Sequence, residues 1–202
     1  MTKAGRKMAR SKAKKMASGQ ADVSALPFGP AYLSAGWNDE DADVELVSVI
    51  VTRRLPDGRF LVGLALVDRT CLGVKDAYDL PPLGRDGLRD AVERVGLPHD
   101  GMEEVEPLVA LSVVHHALAY ARKLGFEPHP DFPAAIFGPR PEALVDTPHA
   151  NDEKPLYVAG PHDDSAAVTR KLDAAVGNGN YDFIVPLGGI PDDFDEEDGE
   201  SS

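Results

Sequence analysis

Eight residues of the kinds that carry out catalysis lie in three short stretches of this chain. These catalytic candidates are Asp68, Cys71, Lys75, Asp76, His115, His116, His129 and Asp131. A thiol beside an imidazole can act as a nucleophile when a hydrogen bond and a lowered thiol pKa activate it. Cys71 paired with a histidine of the following helix is therefore one hypothesis. The other is that Cys71 is a small apolar side chain of the core.

Imidazole and carboxylate groups are also ligands for divalent metals. The candidate metal ligands are His115, His129, Asp131 and His162. Their spacing matches no diagnostic motif such as His-Glu-x-x-His, and a helix would turn the adjacent His115 and His116 about 100° apart. A divalent metal is thus one candidate cofactor, and a metal-dependent hydrolase built on these residues is one candidate function.

The stretch from Glu106 to Asp131 must position most of these groups. Pro107 suits the first turn of a helix, and Gly125 suits the left-handed conformation that ends one. The residues between them are apolar around most of the circumference, which predicts a largely buried central helix over 107–124. Its narrow polar edge carries Ser112, His115, His116, Arg122 and Lys123. This edge either faces solvent or lines a cleft.

Two other segments carry the remaining candidates. Alternating apolar residues around a Pro-Asp-Gly turn predict a β-hairpin over 44–68, and the stretch 67–78 leaves its second strand. Sites often lie in such loops, although a local salt-bridge and turn-capping cluster would use the same residues. Prolines on both sides of His129 make the turn after the helix stiff. Because buried polar groups need partners, we expect these two segments and the polar edge to converge on one cleft.

Further elements complete an α+β fold. A short helix is predicted over 86–96 and a short strand over 134–137. A strand at 155–159, a helix at 165–176 and a strand at 181–186 predict a strand–helix–strand unit with parallel strands. The expected fold class is a single α+β domain whose mixed sheet, with the hairpin at one edge, packs on the mostly apolar central helix.

The two ends of the chain carry opposite charges. The basic end contains Lys3, Arg6, Lys7, Arg10, Lys12, Lys14 and Lys15. Residues 192–202 contain seven acids, so the ends cancel and the net charge of −13 belongs to the body between them. An acidic body repels polyanions on average. The basic end is therefore either a solubilising terminus or an arm that contacts the phosphates of RNA or DNA.

Composition sets the expected organisation and compartment. We expect a disordered basic arm at 1–22, one folded domain at 23–189 and a disordered acidic tail at 190–202. The sequence has no run of about 18 apolar residues that would cross a membrane. With one cysteine and no apolar stretch behind the basic end, a reducing cytoplasm is expected. A protein partner and the oligomeric state stay open.

Three blocks of the sequence resemble an uncharacterised family of bacterial hypothetical proteins. They are Asp-x-x-Cys-Leu-Gly-Val-Lys-Asp within 67–77, Leu-Gly-Phe-x-Pro-His-x-Asp-Phe within 119–132, and Pro-Leu-Tyr-x-x-Gly-Pro-x-Asp-Asp within 154–183. The resemblance spans roughly residues 45–185. It implies one folded unit and supplies no activity, cofactor or catalytic residue. The expected function is that of a cytoplasmic bacterial accessory or binding protein that contacts nucleic acid through its arm.

Overall fold

The structure is a computed structural model that describes residues 22–39, 46–148, 154–160 and 163–184. The predicted basic arm, apart from its last residue Asp22, and the predicted acidic tail lie outside the described residues, and so does the candidate ligand His162.

The described chain forms an α+β domain, as the sequence predicts. Its strands are β1 (Ala31–Ser34), β2 (Leu46–Arg54), β3 (Phe60–Asp68), β4 (Gly73–Leu83), β5 (Met102–Val105), β6 (Leu156–Val158) and β7 (Asp182–Ile184). Its α-helices are α1 (Arg85–Gly96), α2 (Pro107–Lys123), the single turn α3 (Ala134–Phe137) and α4 (Ser165–Val176). No helix in this part of the chain combines the length and the apolarity needed to span a membrane.

The first five strands form one antiparallel sheet in the order β4-β3-β2-β1-β5. The predicted hairpin is β2–β3, and it occupies the middle of the sheet, not its edge. Its turn closes through Gly58, which has a φ of 85°. In a pleated strand successive side chains point to opposite faces, so each strand supplies both sides of the sheet. Leu33, Val49, Ala65 and Ala77 are register partners in one row on one face.

Helices α2 and α3 cover that face completely. Val113, Val114 and Ala117 of α2 are buried against it, and Phe137 of α3 has no exposed surface. The approach is close at Gly73, where a Cβ atom would lie 2.8 Å from the Cβ of Ala121. The prediction of a mostly apolar central helix is confirmed, and its bounds, Pro107–Lys123, agree with the expected 107–124.

The opposite face of the sheet carries only α1 among the described helices. Leu88 of α1 is buried with Ile50, Phe60, Val62 and Leu64 in a separate apolar cluster. Helix α1 begins just after Leu83, the register partner of Phe60. A Cβ atom on its last residue, Gly96, would lie 3.0 Å from the backbone of Gly101, just before β5. The helix thus runs from the β4 side of the sheet to the start of β5, and one corner of this face lies beyond it.

The predicted strand–helix–strand unit also forms, and its two strands pair in parallel. It differs from the expectation in one respect, since β6 and β7 make their own two-stranded sheet and do not extend the larger one. Asp164 caps α4 by accepting a hydrogen bond from the backbone N–H of Ala167 at 2.9 Å. Tyr157 and Leu172 are fully buried in the cluster that fastens this unit to the end of α2.

Two local predictions were wrong. Residues Ala134–Phe137 form a helical turn and not a strand, because Pro133 and Gly138, with a φ of 81°, confine them to four residues. The segment 73–78, which was expected to be a loop, is the first half of β4. Lys75, Asp76 and Asp79 interrupt the apolar pattern of this edge strand, and Pro81 and Pro82 lie where its register with β3 shifts. Because of both features the sequence pattern did not predict a strand here.

Candidate functional site

Asp68 closes the turn between β3 and β4. Its carboxylate accepts hydrogen bonds from the backbone N–H groups of Thr70 at 2.9 Å and Cys71 at 2.8 Å, and from the Thr70 hydroxyl at 3.1 Å. Burial raises the pKa of Asp68, and these hydrogen bonds act against that increase. The contacts are those of a residue that holds a turn in place.

Cys71 follows in the same turn and is fully buried. Burial raises the pKa of its thiol, and the nearby charge of Asp68 raises it further. The thiolate is the reactive form of cysteine, so both effects disfavour nucleophilic chemistry here. The side chain packs with Tyr120, Ala121 and Tyr157. These surroundings match the hypothesis that Cys71 is a core residue.

Lys75 links the two sheets. Its ammonium group lies 2.9 Å from the Asp163 carboxylate and donates to the carbonyl of Val158, also at 2.9 Å. Asp163 also accepts from the backbone N–H of Gly160 at 2.7 Å and from the Tyr157 hydroxyl at 3.2 Å. Burial opposes the ionisation of Asp163, but its hydrogen bonds and Lys75 outweigh burial and lower the pKa. Every named group has a partner, so this network ties β4 to β6.

Asp76 and the turn after α2 are neighbours. The Nε2 atom of His129 lies 4.0 Å from Asp76, and the backbone N–H of His129 donates to the carbonyl of Val74 at 3.0 Å. The backbone N–H of Asp131 lies 3.3 Å from the Nδ1 atom of His129. Thus Asp76 of β4 and His129 of the turn are neighbours, and Asp131 contacts His129 through its backbone.

The polar edge of α2 lies under the segment 138–148. The Ser112 hydroxyl accepts from the backbone N–H of Val145 at 3.1 Å, and His116 lies 2.9 Å from the Thr147 hydroxyl. The Nε2 atom of His115 is buried and has no hydrogen-bond partner among the described residues. Burial lowers the pKa of His115, and the positive charges of Arg140 and Arg122 lower it further.

The predicted residues therefore make separate local contacts, and the Nε2 atom of His115 has no partner among the described residues. Within the described ranges, no three histidine, cysteine, aspartate or glutamate side chains are grouped closely enough to hold a metal ion. Because His162 lies outside those ranges, the metal site stays a prediction, and so does the convergence of all eight candidates on one cleft.

A cavity of about 710 Å³ lies on the other face of the sheet, in the corner beyond α1. This volume is in the range of small-ligand sites. The cavity is lined by Phe28, Gly29, Pro30, Tyr32, Arg54, Phe60, Arg85, Leu88, Arg89, Val92, Glu104, Val105, Glu106 and Pro107. None of the eight catalytic candidates is in this lining, so the described structure places its open concavity away from them.

Three arginines converge on this cavity. Arg85 and Arg89 are one turn apart on α1 and share its inner face with Leu88, and Arg54 ends β2. The guanidinium of Arg54 lies 5.7 Å from the ring centre of Phe60. Guanidinium groups bind phosphates and carboxylates through paired N–H donors. This side of the cavity is therefore suited to an anion.

Aromatic and acidic side chains form the rest of the wall. Tyr32 and Glu104 are register partners on β1 and β5, and Glu106 lies just beyond β5. Burial raises the pKa of Tyr32, and the charge of Glu104 raises it further. The cavity thus offers cations on one side, an aromatic surface and carboxylates on the other.

Sequence reasoning missed this cavity because its residues come from distant parts of the chain, including two unpredicted strands of four residues. One signal was present. Arg85 and Arg89 flank Leu88 on the helix face that also carries Val92, and arginines on an apolar face indicate a surface that is not simply core.

Comparisons of this chain with protein-family models, curated proteins and solved structures found no match. The resemblance of the three sequence blocks therefore rests on those blocks alone.

Proposed function

We propose that this protein is an accessory protein that binds single-stranded nucleic acid, with one part of the strand held in the cavity beside α1. The observation that carries this proposal is the convergence of Arg54, Arg85 and Arg89 on an aromatic-lined cavity in a chain of net charge −13. Arginine and aromatic side chains together are the usual means of holding a strand whose bases are unpaired. A base inside a duplex is stacked and cannot enter a cavity.

The cavity supplies both kinds of contact. Arg85 and Arg89 are exposed, and the Arg89 guanidinium lies 3.3 Å from the Asp86 carboxylate and 3.9 Å from that of Asp90. Exposed ion pairs of this kind contribute little, so a phosphate can compete with them for Arg89. Tyr32 keeps part of its ring accessible in the cavity wall, where a base can stack on it. Stacking on an aromatic ring tolerates any base and contributes about 1–3 kcal/mol.

The basic arm is joined to the fold close to this cavity. The described chain begins at Asp22 and reaches the cavity wall at Phe28. Six residues span at most about 20 Å, so the arm starts within a few nucleotides of the cavity. The arm adds contacts to neighbouring phosphates in this proposal, and its attachment raises their effective concentration.

The acidic body restricts binding to this region. The rest of the surface repels a polyanion, so affinity depends on a few phosphate contacts and falls steeply as salt is added. The metal-dependent hydrolase stays an alternative prediction, since no contact among the described residues favours it over binding.

The test measures fluorescence anisotropy of a labelled oligouridylate of about ten nucleotides at low salt. The full chain is compared with the double variant Arg85→Gln/Arg89→Gln. Arg94→Gln is the matched control, because Arg94 lies on the same helix, is exposed and does not line the cavity. We expect the double variant to bind at least about tenfold more weakly, because hydrogen bonds to charged groups contribute about 1.5–3 kcal/mol each. The control should bind like the unchanged chain.

Deletion of residues 1–16 should weaken binding further and reduce its salt dependence. The proposal is wrong if the full chain retains no single strand at low salt. It is also wrong if the double variant and the Arg94 control bind equally well, because the cavity would then have no part in binding.

A further inference from the structure

The charges that line the cavity are separated by sign. Arg54 belongs to β2, whereas Glu104 belongs to β5, and β1 lies between the two strands. Two strand spacings separate these strands by about 10 Å, and Arg54 lies four residues along β2 from Ile50, which the register places level with Glu104. A ligand that fills the cavity therefore meets cations at one end and carboxylates at the other.

The acidic end is out of place in a site that serves only to attract phosphates. Glu104 and Glu106 would repel a strand that brought no compensating group to them. A carboxylate accepts hydrogen bonds and donates none, so the matching part of the ligand must be rich in N–H or O–H donors. In a strand those donors are the N–H groups of the bases and, in RNA, the ribose 2′-hydroxyls, and only the base donors differ from one nucleotide to the next.

Tyr32 places a stacked base within reach of Glu104. The two residues face each other across β1 and β5, and both line the cavity. Directly opposed side chains in an antiparallel pair have Cβ atoms about 5 Å apart. A base stacked on the Tyr32 ring would therefore lie within reach of the Glu104 carboxylate, in a cavity that the three arginines also line.

We propose that the cavity holds one guanine nucleotide of the bound strand, with its phosphate against Arg85 and Arg89 and its Watson–Crick edge against Glu104. This inference rests on the single-strand binding proposed above and adds base selectivity to it. Glu104 is assigned as the residue that determines specificity.

The donors on its Watson–Crick edge make guanine the base that best matches the Glu104 carboxylate. Its Watson–Crick edge presents the ring N1–H and the exocyclic amino group side by side, and a carboxylate can accept from both at once. Adenine and cytosine present one amino group beside a ring nitrogen that is itself an acceptor. Uracil presents one ring N–H between two carbonyl oxygens, which a carboxylate repels. The expected order of affinity is guanine first, then adenine and cytosine, then uracil.

The test uses the full chain and an oligouridylate in which one central uridine is replaced by guanosine, adenosine or cytidine. The guanosine strand should bind about tenfold more tightly than the strand of uridines, since a bidentate base contact discriminates by about 1–3 kcal/mol. In Glu104→Gln this advantage should fall to about twofold or less, because glutamine replaces one acceptor with a donor.

Glu103→Gln is the matched control. Glu103 is the preceding residue on β5, and its carboxylate accepts from the backbone N–H of Gly36 instead of lining the cavity. This variant should keep the full preference for guanosine. The all-uridine strand should bind more tightly to Glu104→Gln than to the unchanged chain, since a carboxylate that repels phosphates and uracil carbonyl oxygens is removed.

The outcomes separate the two proposals. If all four strands bind the unchanged chain equally well, and the Arg85→Gln/Arg89→Gln variant still binds weakly, single-strand binding stands and base selection is wrong. A guanosine preference that survives in Glu104→Gln would overturn the assignment of Glu104. If no strand binds, both proposals are wrong.

Discussion

The two faces of the five-stranded sheet differ in how completely helices cover them. On one face α2 and α3 pack over the strands, and Val113, Val114 and Phe137 are buried against it. On the other face α1 covers part of the sheet and leaves the cavity at the corner formed by β1, β2 and β5. The candidate residues singled out from the sequence lie mainly around the covered side, whereas the cavity lies on the partly covered side.

The comparison shows that a polar side chain has a different role where helices cover the sheet than where a cavity is left open. Around the covered face, Ser112 and Asp68 have protein partners and fix the segments that pack there. On the other face, Arg85 and Arg89 line the cavity and remain exposed on their helix. A polar residue that is already satisfied by the fold has little capacity left for a ligand.

The largest difference between the two faces is expected when one apolar side chain on each face is truncated to alanine and the losses of stability are compared. Phe137→Ala should reduce the free energy of unfolding by about 3–5 kcal/mol, because Phe137 is fully buried and leaves a cavity behind. Val92→Ala, at the wall of the existing cavity, should reduce it by less than about 1 kcal/mol. Urea unfolding of both variants measures the difference. Equal losses would show that the two faces are packed alike.

A smaller effect is expected where α2 approaches β4. Gly73 has a φ of 72°, and a Cβ atom there would lie 2.8 Å from the Cβ of Ala121. Gly73→Ala should lower stability by about 1–3 kcal/mol, because it adds a steric clash to backbone strain. Gly36→Ala is the control, since Gly36 has a φ of 73° but open space around it. If thermal unfolding finds the two variants equally unstable, the contact between α2 and β4 is loose enough to accept an added methyl group.

The stability of the folded chain should depend on pH through His115, which lies on α2 at the covered face. Burial and nearby arginines lower the pKa of His115 in the folded chain below its ordinary value of 6.5. Between the two values the unfolded chain binds a proton that the folded chain does not, so stability falls as the pH drops through 6.5. The slope for one proton is at most about 1.4 kcal/mol per pH unit.

The measurement is urea unfolding from about pH 7.5 to about pH 5.5, with His115→Leu for comparison. The unchanged chain should lose more stability than the variant over this range. Parallel pH profiles would mean that His115 protonates as readily in the folded chain as in the unfolded one.

The smallest expected effect concerns Cys71. Burial keeps its thiol protonated and covered, so a thiol reagent should label none of the native protein and all of the chain in urea. Cys71→Ala should retain any strand binding and should cost roughly 1 kcal/mol of stability. Rapid labelling of the native protein would instead support the hypothesis that Cys71 is a nucleophile.

Much of the fold was predictable because its signals are local. The β2–β3 hairpin and the helices α1, α2 and α4 each carry enough periodic residues and end signals to be recognised in their own segment. The α+β class follows from these elements. The four-residue strands β1 and β5 are too short to show a period, and in β4 the charged residues Lys75, Asp76 and Asp79 and two prolines are typical of a loop.

The sequence alone determined the β2–β3 hairpin and the longer helices, since their patterns repeat within a few residues. Tertiary structure decided which polar residues are satisfied by the fold. Asp163 contacts Lys75 although the two residues are far apart along the chain. The segment 138–148 covers the polar edge of α2. Tertiary structure also decided where the cavity lies, because the path of α1 across the sheet brings Arg89 towards Tyr32 and Glu104. The physical reason is that these contacts depend on how the elements pack against one another, and no local pattern records that packing.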